Sequence, residues 1–545
     1  MRRLTALIPK QRIAALLAAV RDARSERRHR KRRIAVMKPY TDLQRPLRKV
    51  MLLVLPVGLA LFSLVYGFFF ALTAPYLIVP FTVPVVVLVL LSVWALPDRA
   101  HAPTRSMELF FAALIISLVM WPNYLALSLP GLPWVTMLRL TGFPMAFLLL
   151  ICLSTSESFR RELRQTLAAV PGLGPCLLLF ILTQFVTVAL SKEPAAALQR
   201  ALVQQVNWTS VFMVSAWICR TPGRIERYVV LFMLLAVPIV AITLIENREH
   251  HVLWVGHVPS FLKVEDPTAA LILTSSVRSA TGLYRTKATF STPLGLAEYL
   301  ALLTPFAVHF AIGKFRPIVK LSGAVLIPIL FYCIRLTDAR LGVVGFLVSM
   351  LLYVLFWGLL RLKRDRRDLA AASIVYAYPA IFLAAATAVM TVHRLNVMVF
   401  GDGAQAASNE ARKNQLHMGI PKILANPIGH GPGGSGPAMG YGAGEFVTID
   451  NYYLTLALDY GLIGLLTFLA IFLITISASA QAGVRAASTN DSNLHNAVPL
   501  SIALSEFLVI KLVFSQQDNH VMVFTLLGMA VAMVYRSKLA IATSK

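Results

Sequence analysis

Three stretches of an otherwise apolar chain gather side chains able to handle an anion and a proton. The first, 278–293, brings Arg278, Arg285 and Lys287 together just ahead of an apolar run. The second reads Arg335-Leu-Thr-Asp338-Ala-Arg340-Leu-Gly342 and heads another such run. The third extends over 406–453, with Arg412 in a polar segment, Gly431 and Gly433 in a glycine-rich turn at 429–436, and then Asp450-Asn451. Arginine combines a fixed charge with a planar fork of donors that matches two phosphate oxygens at once. A glycine turn can aim several backbone N–H groups at an anion. This one lacks the Gly-Lys-Ser/Thr ending of a nucleotide-binding P-loop. Asp450 has the chemistry of a general base, although an aspartate of ordinary pKa, about 3.9, is weak in that role unless partly desolvated.

Each group also has a purely structural reading. Arg335 and Arg340 sit where long side chains reach toward lipid head groups. The glycine turn serves equally as a flexible lid. Asp450 is placed to cap the helix that follows, its oxygen accepting N–H bonds from Tyr452 or Tyr453. At the level of sequence both readings stay open. No metal is expected: His250, His251 and His257 have no common ligand spacing, and no nearby carboxylate completes a set. Cys152, Cys176, Cys219 and Cys333 lie at or near apolar segments and read as small buried hydrophobes rather than a disulfide framework.

The elements that hold these groups are membrane helices. The chain has 545 residues, 57% of them hydrophobic and 14% charged, where a soluble protein carries roughly a quarter charged residues. The apolar surplus falls into runs of the roughly 20 residues that cross a bilayer. Segments are expected at 50–72, 76–96, 107–122, 134–154, 174–190, 203–219, 228–246, 293–312, 319–336, 341–360, 370–391, 452–478, 497–514 and 521–535. The reading is an all-α polytopic membrane protein of about fourteen transmembrane helices.

Cationic clusters recur at alternate connections, as retention of Lys and Arg in the cytoplasm requires. They are Arg99 and Arg105; Arg160, Arg161 and Arg164; Arg220, Arg224 and Arg227; Lys314, Arg316 and Lys320; and the run Arg361, Lys363, Arg364, Arg366 and Arg367. Both termini then face the cytoplasm of a bacterium, and the chain resides in its inner membrane. Most opposite connections are short and poor in cations. Two are long, 247–292 and 393–451, and these extracytoplasmic loops carry the polar groups described above. The expected division is a basic tail (1–49), helices (50–246), a loop (247–292), helices (293–392), a large loop (393–451), and helices with a short cytoplasmic tail (452–545). The tail at 1–49 has sixteen Lys or Arg against three acids, about half of the net charge of +26. Joined to membrane helices, it reads as lipid-facing rather than as a nucleic-acid arm. Leu4, Ile8, Ile13, Leu16, Leu17 and Val20 form one face of an amphipathic helix, unless the tail stays solvated and disordered. No secretory leader is expected, because the first long apolar run begins after residue 49.

Three pieces of the chain resemble the shared domain of O-antigen ligases and Wzy-type polysaccharide polymerases. They are Gly282…Thr289-Phe290…Pro293 before a helix; Thr337-Asp338-Ala339-Arg340-Leu-Gly342, similar to a Thr-x-Ser-Arg-Gly pattern; and Asn426-Pro427-Ile-Gly429-His-Gly431-Pro-Gly433 followed by Asp450-Asn451, nine residues, and Gly461-Leu-Ile-Gly464. The last piece is the most specific, since the ligases carry His-Asn-x9-Gly-x-x-Gly there. The likeness covers about two fifths of the chain, 275–480. It implies a GT-C-like glycosyltransferase, metal- and cofactor-independent. The donor and acceptor would be glycans on undecaprenyl diphosphate, and a chain-length co-polymerase and export machinery would be partners. By the same resemblance Arg340 and Asp450 are catalytic, while Arg278, Arg285, Arg412, Gly431, Gly433 and Asn451 hold diphosphate or glycan. Asp450 replaces the ligase histidine, which points to a polymerase of exopolysaccharide, capsule or O-antigen. A ligase acting on lipid A-core or protein stays open, as does a flippase, although a transporter commonly shows mirrored halves and none is seen here.

Overall fold

The computed structural model describes residues 102–127, 135–264, 277, 282–399, 406–441, 449–486 and 495–544, with parts of 54–97. The basic tail and Arg278 lie outside the described residues. The chain forms two compact units, Met1–Arg99 and Ala100–Lys545. In the first, the described residues include a short apolar helix, Val85–Trp94.

The second unit is a bundle of membrane helices, and the protein is an all-α polytopic membrane protein. Among the described residues nine helices are long and apolar enough to span a bilayer. Each coincides with one of the expected segments. Pro293–Ile312 matches its segment end for end, because Thr292 caps it (Oγ1 accepting the Gly295 N–H at 3.1 Å) and Pro293 occupies the first turn, where no N–H is needed. The other expected segments of this unit are shorter or differently built. Thr104–Met120 has 17 residues and Ala497–Ile510 has 14. The segment expected at 203–219 begins earlier, as Pro194–Gln204, and passes through a π-helical turn, Gln205–Ser210, into Val211–Cys219. The expected count of fourteen is therefore not reached by full-length helices among the described residues.

Two helices form the centre. Pro293–Ile312 and His520–Ser544 are almost wholly buried, and the first packs against Pro317–Leu336, Arg340–Arg364 and Ala497–Ile510. Lipid-facing helices such as Leu369–Thr391 expose most of their apolar side chains instead, as expected where the solvent is hydrocarbon. The central pair can carry Glu298, Asn519 and His520 because protein, not lipid, surrounds them.

At one end the connections are short and held by ion pairs. An amphipathic helix, Glu157–Ala168, buries Phe159, Leu163 and Thr166. Its Glu162 meets Arg220 at 3.1 Å and the Trp217 indole N–H at 3.1 Å. Arg224 pairs with Glu108, and Arg361 with Asp368 at 2.8 Å. At the other end lie the long connections. A small antiparallel sheet, unforeseen in the sequence, joins Leu125–Leu127 to Val135–Thr136 and to Leu262–Val264. It ties the 121–136 connection to the 250–292 loop, as does the Trp254 indole N–H, donated to the Tyr124 hydroxyl at 2.8 Å.

Candidate functional site

Helix Pro317–Leu336 ends at a tight corner before Arg340–Arg364 begins. Thr337 is buried there; its hydroxyl donates to Ile334 O at 2.7 Å and accepts the Ala339 N–H at 3.2 Å. Asp338 takes the left-handed φ of 47° that turns the chain. The segment 284–288 docks on this corner: the Thr286 N–H reaches Leu336 O at 3.2 Å, and Arg285 Nε reaches Thr337 O at 2.9 Å. Arg285 and Arg340, 55 positions apart by number, thus flank one turn. Arg340 opens a helix of 25 residues, whose N-terminal dipole adds to the local positive field.

Glu246, in the last turn of Arg224–Glu249, fixes that segment from below. Its carboxylate accepts the N–H groups of Lys287 (3.1 Å) and Ala288 (2.7 Å) and the Tyr284 hydroxyl (2.9 Å). Lys287 is fully buried, and burial pulls its ammonium down to about 8, against the opposing pull of Glu246.

Asp450 lies where the large loop meets helix Tyr452–Ala486. Its carboxylate is paired with Arg412 Nε at 3.0 Å, and its N–H is donated to Gln415 Oε1 at 3.0 Å. Arg412 and Gln415 lie on helix Ala406–Ala425, which Asn426-Pro427 ends as the sequence suggested. The capping alternative for Asp450 is overturned. Asn451 is the cap, its Oδ1 accepting the Tyr453 and Leu454 N–H groups at 2.9 and 3.1 Å. The Tyr452 N–H goes to Lys511 O instead, at 3.2 Å. The side-chain oxygen of Asn451, a residue expected to hold diphosphate or glycan, is therefore engaged within the chain.

The glycine turn holds an anion that belongs to the protein. Gly431 donates its N–H to Asp459 O at 2.9 Å, and Ser435 donates to Asp459 Oδ1 at 2.8 Å. The Gly433 N–H is also bonded to Asp459. The expectation that Gly431 and Gly433 turn these N–H groups to a substrate is corrected accordingly: the Gly431 N–H is taken by the Asp459 backbone carbonyl and the Gly433 N–H by the buried Asp459 carboxylate. The turn sits so close to the helix that both sides must be glycine. A Cβ on Gly429 would lie 2.5 Å from Gly461 N, and one on Gly461 would lie 2.2 Å from Pro427 O. Gly461, at φ 70° and ψ −174°, breaks the helix. Across this break Leu462 donates its N–H to Pro427 O at 2.9 Å.

The sequence reading missed two groups at this end. Arg200, exposed on helix Pro194–Gln204, donates to Gly433 O at 3.1 Å and so clasps the glycine turn from outside. His430, inside the turn, has Nδ1 at 3.0 Å from Leu458 O. A carbonyl only accepts, so Nδ1 carries a proton. Among the described residues no three His, Cys, Asp or Glu side chains are grouped to hold a metal ion.

The arginine corner and the helix after Asp450 are linked by a chain of contacts through the centre of the bundle. A Cβ on Gly342, two residues past Arg340, would lie 2.9 Å from that of Ala297. The next residue, Glu298, is bound to Lys511, whose carbonyl receives the Tyr452 N–H. Residues 323–469 match a family model described as O-Antigen ligase. A search of curated proteins found no match. The matched stretch contains Arg340, Arg412, the glycine turn and Asp450, and it supports a membrane enzyme of polysaccharide assembly.

Proposed function

We propose that this chain, which carries an O-antigen ligase domain and is of the O-antigen ligase/Wzy type, polymerises lipid-linked oligosaccharides into a surface polysaccharide. The donor is a glycan on undecaprenyl diphosphate and the acceptor a second lipid-linked repeat unit. The loop-bearing end lies outside the cytoplasm. An acceptor hydroxyl attacks the anomeric carbon of the donor, a new C–O bond forms, and the bond to the diphosphate breaks with its electron pair leaving on phosphate. Arg340 and Arg285, with Arg278 and Arg412, hold that diphosphate and stabilise the charge it gains. Asp450 receives the acceptor proton.

The observation that carries the reading is the Arg412–Asp450 pair inside the ligase-type domain, at the position where ligases have histidine. In the free protein the carboxylate is committed to Arg412. When the guanidinium turns to a phosphate oxygen, the carboxylate is released to take a proton. Transfer to lipid A-core is the second reading, favoured by the description of the matching family.

The test is the purified chain in liposomes, given lipid-linked repeat units alone or with lipid A-core. Long polymer from repeat units alone supports a polymerase. Single-step transfer to lipid A-core, without polymer, replaces it with a ligase. Reporter fusions should read outside near Gly433 and cytoplasmic at Arg364; the reverse result defeats the arrangement.

A further inference from the structure

We infer that Lys511 and Glu298 are positioning residues for this reaction: their ion pair locks the turn at 511–519, and that turn sets the separation between the arginine corner and Asp450. The inference rests on the function proposed above and adds two residues outside the stretch 323–469 that matches the ligase family.

Both side chains are fully buried, and Lys511 Nζ lies 3.0 Å from Glu298 Oε1. It also donates to Glu298 Oε2 at 3.2 Å and to Gln516 O. The same ammonium stands 5.3 Å from the ring centres of Tyr452 and Phe507. An ammonium has three N–H donors and no acceptor, and two of these donors are bonded here, to Glu298 Oε2 and to Gln516 O.

The helix that follows Asp450 is held by the turn at 511–519 and by the helix that leads into it. Lys511 O accepts the Tyr452 N–H at 3.2 Å, and Leu508 O, at the end of the preceding helix, accepts the Tyr453 hydroxyl at 2.6 Å. The turn grips the other half of the site as well. Asn519 Nδ2 donates to Gly295 O at 2.8 Å and to Glu298 Oε2 at 3.3 Å, and Asp518 accepts the Ser291 hydroxyl. Ser291 and Gly295 bracket the start of helix Pro293–Ile312, which follows directly on the segment that places Arg285 on Thr337. One short turn therefore touches both sides of the site, close to each.

Stability alone does not account for two buried charges. Well-packed apolar side chains of similar volume commonly stabilise a fold as well as a buried ion pair does. What apolar packing lacks is direction. The ammonium's hydrogen bonds to Glu298 Oε2 and Gln516 O fix the turn in angle and in distance, and a displacement of about 1 Å between reacting groups costs on the order of 100-fold in rate.

The experiment uses the full chain in liposomes, with wild-type polymerisation of lipid-linked repeat units as the baseline. A wild type that transfers nothing removes the functional reading, and this inference with it. Lys511→Met alone leaves Glu298 buried without its partner and is expected to destabilise the protein. The decisive variant removes both charges, Lys511→Met with Glu298→Leu. It is expected to insert and melt near the wild type, with kcat lowered about 100-fold and KM for the lipid substrate little changed. A folded double variant with wild-type kcat overturns the proposal. So does one whose loss lies in KM alone. A double variant that does not fold overturns it too, because the pair would then be needed for the fold itself.

Discussion

The two ends of the bundle treat arginine differently. At the short-loop end Arg220, Arg224 and Arg361 each meet a carboxylate, on Glu162, Glu108 and Asp368. At the loop-bearing end Arg200 and Arg285 are oriented by backbone carbonyls, on Gly433 and Thr337. A carboxylate neutralises a guanidinium, whereas a carbonyl mainly aims it. At the loop end Asp450 also meets an arginine, Arg412, while other carboxylates there are used otherwise: Asp459 fills the glycine turn, Glu246 pins the 284–288 segment, and Glu298 holds a buried lysine. At one end cations are tied to carboxylates. At the other they are held in set directions around a carboxylate, which is the arrangement an anionic substrate needs.

The contrast can be broken most sharply at Asp450. Asp450→Asn keeps the shape but cannot take a proton, and a positioned base contributes about 10²- to 10⁴-fold. Polymer formation should fall by that order while expression and melting stay normal; a stable, fully active Asn variant removes the base. Arg340→Lys keeps the charge and loses the fork. It should lower activity by roughly 10- to 100-fold, in keeping with the strength of charged hydrogen bonds. Equal turnover in the Lys variant would return Arg340 to a lipid-anchoring role.

A pH titration probes the segment docked on the arginine corner. Lys287 has its folded pKa lowered from 10.5 to about 8, so between these values the unfolded chain binds more protons than the folded one. Stability should rise as pH goes from about 8 to 10.5, and the cost of burying the charge is fully present below that window. Melting curves over this range should show the rise, and Lys287→Met should abolish it. A smaller effect is expected at Asn451→Ala, which removes a helix cap and should cost about 1 kcal/mol of stability. Asn451→Asp should retain most of it. The smallest is Arg220→Gln, at the other end: a partly exposed pair of this kind contributes at most about 1 kcal/mol, and turnover should not change. A large loss there would mean that the two ends do not divide their work as described.

Much of the scaffold was legible in the sequence because it rests on local signals. Thr292-Pro293 announces a helix start, Asn426-Pro427 announces a helix end, and apolar runs between cationic clusters announce spans. What stayed hidden depends on pairing across long separations. The strand at 262–264 has three residues and no pattern of its own; it exists only because 125–127 lies beside it. The glycine turn was read as open to a substrate because its filler, Asp459, sits inside the next apolar helix. Lys511 did leave a trace, as a lone cation within the expected span 497–514, and such residues deserve a functional reading by default. Its partner, 213 positions away, could not be named from sequence. At Asp450 the candidate base was visible, but that Asn451 and not Asp450 does the capping required the hydrogen bonds themselves.

The same separation has a consequence for how the chain is made. Glu298 and Lys511 are 213 residues apart, and a ribosome working at about 5–20 residues per second needs roughly 10 to 40 s to go from one codon to the other. During that interval helix Pro293–Ile312 has been synthesised while its counter-charge does not yet exist. The deeply buried pair Pro293–Ile312 and His520–Ser544 is thus completed only after the chain beyond residue 519 has been made. A transcript cut short before codon 511 yields a protein with an acid left unanswered at its centre.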